Sequence, residues 1–260
     1  PAAELLAELD TITTARIRAF YGAHYAGAAL SLAIVGDVAA ADMLDRAGEL
    51  LGDWIGAHPA AVDVERVEPG AARRETVRMA DKANADVAIG LPARLRRRDA
   101  DYLAAAIGNA ILGQSTLSSR LGVRVRDREG LTYGISSRFL GATIVDGLWV
   151  ASVTVQPANV ERAIASTLDE IGRMLADGVA PKEVAALKSN FAGTFKVGLA
   201  TNAGTAGRLL DAEFYGFGPE YLDMYPGEVA EVSTDYVNAA LRAHIVPDRL
   251  TIVVAGDVEP

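Results

Sequence analysis

Residues 118–137 read Ser-Ser-Arg-Leu-Gly-Val-Arg-Val-Arg-Asp-Arg-Glu-Gly-Leu-Thr-Tyr-Gly-Ile-Ser-Ser and form the densest polar segment of the chain. On a helix Arg120, Arg124 and Arg128 share one face, whereas Arg126 points elsewhere and precedes Tyr133 by seven residues across Gly130. A turn at that glycine can bring the Arg126 guanidinium and the Tyr133 hydroxyl together at a strand mouth. There they would be paired donors for a carbonyl or oxyanion in a polypeptide substrate. From spacing alone the plainer reading is favoured: an arginine at a helix C-terminus and a half-buried strand tyrosine.

Other chemistries find less support. The histidines are His24, His58 and His244; none has a second histidine at a spacing that puts two ligands on one helical face, the one carboxylate at such a spacing, Asp248 after His244, follows a proline, and no cysteine can replace them. A metal site within this chain is therefore not expected. His24 and His244 fall near helix C-termini, where a cationic or hydrogen-bonding side chain suits the dipole. No glycine-rich phosphate loop follows a strand, and Ser115, Ser118 and Ser119 lack a nucleophile elbow. Arg94, Arg96, Arg97 and Arg98 form a basic cluster that reads as a solvated loop rather than an anion site.

These residues sit in a chain of 260, half of it hydrophobic and 23% charged, with a mean hydropathy of +0.18. That composition is globular and excludes intrinsic disorder. No apolar run reaches the roughly 18 residues of a membrane span. A formal charge of -9 argues against nucleic acid as a partner. The absence of cysteine leaves the compartment open. The start at Pro1, without initiator methionine, basic region or apolar signal core, reads as a cut point in a longer gene product.

The elements that must position Arg126 and Tyr133 show a pattern of their own. Residues 12–38 align without gaps to residues 232–258 at an offset of 220, with eight of 27 positions identical, among them His24/His244, Gly36/Gly256 and Asp37/Asp257. Each copy predicts an N-cap (Thr13, Ser233), a helix, then a short strand ending at Gly-Asp-Val. Chain organisation is thus read as residues 1–28, the helical end of a preceding homologous module, and residues 29–260, a whole second module. Between the copies we expect a helix over 40–55, an irregular stretch around His58-Pro59, strands at 75–79 and 86–91, a helix over 99–112 capped by Asp99, and another over 117–128 ended by Gly130. Strands follow at 133–140 and 148–156, then helices from Pro157 to Gly178, from Pro181 to about 197, and over 202–217 and 220–225. Consecutive strands followed by consecutive helices predict an α+β fold, a largely antiparallel sheet with helices packed on one face.

The run Ile111-Leu112-Gly113, Ser118-Ser119-Arg120-Leu121 and Arg126-x-x-Glu129-Gly130-Leu131-x-Tyr133-Gly134 resembles the signature of the non-zinc half of the pitrilysin/insulinase family of inverted-motif zinc metallopeptidases. Similarity extends to Phe20-Tyr21, His24-Tyr25, residues 33–37, Pro181-x-Glu183-Val184 and the closing strand. The resemblance implies a half-barrel module that pairs with a zinc-bearing homologous module, in the same gene product or on a separate subunit, around a chamber where peptides are cleaved. It assigns Arg126 and Tyr133 to the substrate carbonyl. It implies no cofactor in this chain and zinc in the partner half, since His-x-x-Glu-His occurs nowhere in the sequence. It also suggests a bacterial periplasm or cell-envelope setting. The alternative function is a non-catalytic scaffold or assembly module of the same family, in which Arg126 and Tyr133 are relics.

Overall fold

The computed structural model describes residues 2–56, 64–143 and 145–259; the stretch expected around His58 lies outside them. Two compact units are present, one of residues 1–63 with 198–219 and one of residues 64–197 with 220–260.

The second unit carries the sheet. Its strands are β1 (Arg73–Arg78), β2 (Ala85–Pro92), β3 (Ile135–Leu140), β4 (Leu148–Val155) and β5 (Thr251–Gly256), in the spatial order β1-β5-β2-β4-β3. β1 pairs with β5 in parallel, and the other three pairings are antiparallel. Period-two alternation places Ala85, Val87, Ile89 and Leu91 of β2 and Trp149, Ala151, Val153 and Val155 of β4 on the buried face. Helices cover that face: α4 (Tyr102–Asn109), α5 (Val160–Asp177) and α9 (Thr234–His244) bury Ile107, Ile171, Met174 and Leu241 against it. An apolar stripe on α5 packs inward, with Val160, Ile164 and Ile171 buried and Leu168 and Leu175 partly so. The unit also holds α6 (Pro181–Gly198, all but its last residue) and α8 (Tyr221–Glu231). The α+β class, with a mainly antiparallel sheet and helices, is as expected.

Local details differ where packing overrides pattern. The helix expected over 99–112 begins at Tyr102 and widens into a π-type turn over Ala110–Gln114. Asp99 does not cap it; its carboxylate accepts from the Arg96 amide at 2.8 Å. A side chain at Gly108 would collide with Leu241 of α9, so glycine permits the close approach of α4 and α9. The helix expected over 117–128 starts late, because the Ser115 hydroxyl accepts from the amides of Leu117 and Ser118 in a turn, and Gly122–Arg128 is also wound in the wide π manner.

The first unit contains α1 (Ala2–Leu9), α2 (Thr14–His24), α3 (Ala40–Leu51) and α7 (Asn202–Phe214). The strand expected at 30–35 is not formed; these residues belong to no ladder, and Leu30, Leu32 and Ile34 are exposed.

Candidate functional site

The site begins with the π-wound segment Gly122–Arg128. Glu129 N donates to Arg124 O across five residues, and Gly130, at φ +63°, then reverses the chain as only glycine does without strain. Leu131 N returns to Val125 O at 3.1 Å, which closes the turn and delivers Thr132 and Tyr133 to the start of β3.

Arg120 and Arg124, which share a helical face, go to different carboxylates. Arg120 makes a bidentate pair with Glu183, at 2.9 and 2.6 Å, and donates to Gly178 O. Arg124 pairs with Glu129 at 2.7 Å and with Asp169 at 2.8 Å. The Arg120 fork, helped by the Ala180 amide, holds the Glu183 carboxyl below the usual carboxylate range, and the pairing raises Arg120 in turn. Burial pushes the Glu129 carboxyl up, but hydrogen bonds from Arg124 and Ser166 outweigh it and leave it lowered. Two of the quoted motifs, Ser118-Ser119-Arg120-Leu121 and Pro181-x-Glu183-Val184, are thus joined by an ion pair that 63 residues of separation conceal in the sequence.

Arg126 does something different. Its Nε donates to the carbonyl oxygen of Tyr133 at 3.1 Å and its Nη1 pairs with Asp127 at 2.6 Å, while Nη2 has no acceptor among the described residues. Tyr133 lies ahead of β3 and is 98% exposed, so it is no half-buried strand tyrosine. The structure therefore does bring Arg126 and Tyr133 together, through the tyrosine's backbone carbonyl.

Beside them lies an open cleft of 720 Å³ lined by Asn84, Thr132, Tyr133, Thr154, Gln156 and Asn159, with Gly130, Leu131, Gly134 and Val155. The amides and hydroxyls there offer donors and acceptors of the kind an extended peptide backbone needs. A second depression, lined by Gly134, Ser136, Ser152, Thr154, Asp86 and Ala88, continues over the solvent face of the sheet. Apart from the quoted segment 130–134, sequence reading missed the cleft residues, because Asn84, Thr154, Gln156 and Asn159 are scattered along the chain and carry no spacing signal.

The remaining candidates are structural. His244 is buried, with Nδ1 2.7 Å from Ala93 O and Nε2 2.6 Å from Asp101 Oδ2. His24, in the first unit, packs on the Phe20 ring at 4.3 Å. The cluster expected to be a solvated basic loop is largely paired: Arg94 meets Glu68, Arg96 meets Asp146 at 2.6 Å, and Arg97 lies 4.5 Å over the Tyr102 ring and donates to the Tyr221 hydroxyl.

The family described as peptidase M16 inactive domain matches residues 11–191. The chain is 28% identical over 273 residues to an uncharacterized zinc protease of Streptomyces coelicolor, a match that covers 98% of this chain and 56% of that protein. This chain thus spans little more than half of its curated relative. The crystal structure of a peptidase M16 inactive domain from Pseudomonas fluorescens matches at a TM-score of 0.84 and 27% identity, over 95% of this chain and 57% of that one. The periplasmic protease PqqL from Escherichia coli shares the fold at a TM-score of 0.64 and 16% identity, over 85% of this chain and 24% of that one. No helix among the described residues is long and apolar enough to cross a membrane.

The zinc named in the Streptomyces relative does not fit the residues present. Among the described residues no three His, Cys, Asp or Glu side chains group as a metal site, and His244 is already engaged by Ala93 and Asp101. With the family match spanning residues 11–191 and the fold reproduced by a solved member, the chain belongs to the peptidase M16 inactive-domain family.

Proposed function

We propose that this chain is the substrate-binding half of a zinc-dependent endopeptidase acting on peptides or unfolded segments, and that it works only beside a zinc-bearing homologous module. That module belongs to the same gene product or to a separate subunit. Residues 126 and 133 supply this half's chemistry. The Tyr133 hydroxyl and the Arg126 guanidinium donate to the scissile carbonyl oxygen, and their bonds strengthen as it gains negative charge. The cleft amides and hydroxyls hold the flanking peptide.

The observation that carries this reading is the near-complete exposure of Tyr133 beside Arg126 on a peptide-sized polar cleft. A side chain so placed contributes little to folding and is open to a substrate. The 220-residue repeat supports residues 1–28 as the helical end of a preceding homologous module and residues 29–260 as the zinc-free module. The fold shared with a periplasmic protease supports a bacterial periplasm or cell-envelope setting.

The test is turnover of a quenched peptide by the chain reunited with its zinc-bearing half. Tyr133→Phe and Arg126→Ala should each lower kcat by about 10²–10³, the size of one lost oxyanion donor. The melting temperature of Tyr133→Phe should stay at the wild-type value. Wild-type turnover in both variants overturns the reading and leaves the scaffold alternative.

A further inference from the structure

We infer that Thr132 is the positioning residue of this pair, its hydroxyl pinning the Tyr133 backbone to β4 so that the phenol is presented at one fixed place over the cleft. The inference rests on the substrate-donor reading of Tyr133.

Tyr133 cannot be held by its own exposed ring, nor by the β3 ladder, which begins only at Ile135. Thr132 replaces that ladder. Its oxygen accepts from the Gly134 amide at 3.1 Å, and its hydrogen faces Thr154 O at 2.7 Å and Gly134 O at 3.0 Å. The carbonyl it reaches belongs to a central strand: the side chain of Thr154 donates to Asp86 on β2, across the register pair that joins the two strands. Two further side chains complete the clamp. Arg126 donates to Tyr133 O, and the Thr116 hydroxyl donates to Ile135 O at 3.2 Å.

Three consecutive peptide units, from the Tyr133 carbonyl to the Ile135 carbonyl, are thus fixed by side-chain bonds, while the Tyr133 ring at their N-terminal edge is left free. Only a hydroxyl can accept from an amide and donate to a carbonyl at this one point, and threonine's branched Cβ restricts χ1 as well. Valine has the same shape and neither function.

The experiment compares Thr132→Val, Thr132→Ser and Tyr133→Phe in the assembly with the zinc-bearing half, measuring kcat, KM and hydrogen exchange at the Gly134 amide. Thr132→Val should speed Gly134 exchange and lower kcat by about tenfold, the value of one neutral hydrogen bond, with KM little changed. Thr132→Ser should restore both. Unchanged exchange in Thr132→Val overturns the inference, as does failure of Thr132→Ser to restore turnover, which would assign the effect to methyl packing. Wild-type turnover in Thr132→Val beside an impaired Tyr133→Phe overturns the positioning role alone. Faster exchange with wild-type turnover in both Thr132→Val and Tyr133→Phe overturns the donor reading, and the positioning role with it.

Discussion

Residues 12–38 and 232–258 begin with the same local elements at a constant offset of 220 and bury them to very different extents. Helices α2 (Thr14–His24) and α9 (Thr234–His244) are both eleven residues long, and each is capped in the same way. Thr13 accepts from the Arg16 amide at 3.3 Å and Ser233 from the Tyr236 amide at 3.1 Å. A single 3₁₀ turn follows each, Gly27–Ala29 and Pro247–Arg249, again 220 residues apart. The agreement then stops. Thr251–Gly256 is a strand between β1 and β2, whereas residues 31–36 form none. α9 buries Val237, Ala240, Leu241 and His244, and α2 buries no residue. A helix closes its hydrogen bonds within its own segment, so a local signal is enough to write it. A strand's partners lie on other segments, so the same signal yields a strand only where neighbours are in register.

The largest test of this contrast is in the cores. Leu241→Ala should cost about 2–5 kcal/mol in a denaturant titration, because its site against Gly108 is closely packed. Ile17→Ala, at the position that Val237 fills in the other copy, should stay within about 0.5 kcal/mol, since Ile17 is 58% exposed. Equal losses would break the comparison.

The two histidines come next. His244→Leu leaves Asp101 and the Ala93 carbonyl without their partner and should cost about 1–3 kcal/mol. His24→Leu, read by the same thermal melt, should be close to neutral.

The smallest effect concerns ion pairs and depends on pH. Glu183 is held below its usual pKa by Arg120, so the unfolded chain binds its proton more readily than the folded one. That contribution is present in full above the unfolded value of about 4.3 and disappears as pH falls through the lower folded value. Glu183→Gln should therefore be less stable than wild type at neutral pH and converge on it in acid. In the first unit Arg46–Glu49 is an exposed pair on α3, and Glu49→Gln should shift the melt little at any pH. A Glu183→Gln deficit that persists unchanged below the carboxylate range would show that the pair acts through packing.

Much of the scaffold was legible in the residues. Pro157, Gly178 and Pro181 punctuate α5 and α6 near the expected places, and the β-rich runs expected at 86–91 and 148–156 are strands. The π windings were not, because they answer contacts made elsewhere in the chain: a side chain at Gly113 would strike Ser137, and one at Gly122 would strike Thr116. The site was half legible. The family resemblance, more than the seven-residue spacing, singled out Arg126 and Tyr133, but neither showed that Arg126 would take the backbone carbonyl or that the Thr132 hydroxyl would bond to Thr154 O.

By itself the sequence determined the Thr13 and Ser233 caps, the approximate places of most helices and strands, and the absence of cysteine, all properties of single residues or short spacings. Tertiary structure alone decided which of two like segments becomes a strand, where the arginines find their carboxylates, and that Tyr133 stands in solvent beside a polar cleft. Each of those outcomes depends on groups tens to hundreds of residues away, whose distances are set only when the sheet and its helices pack.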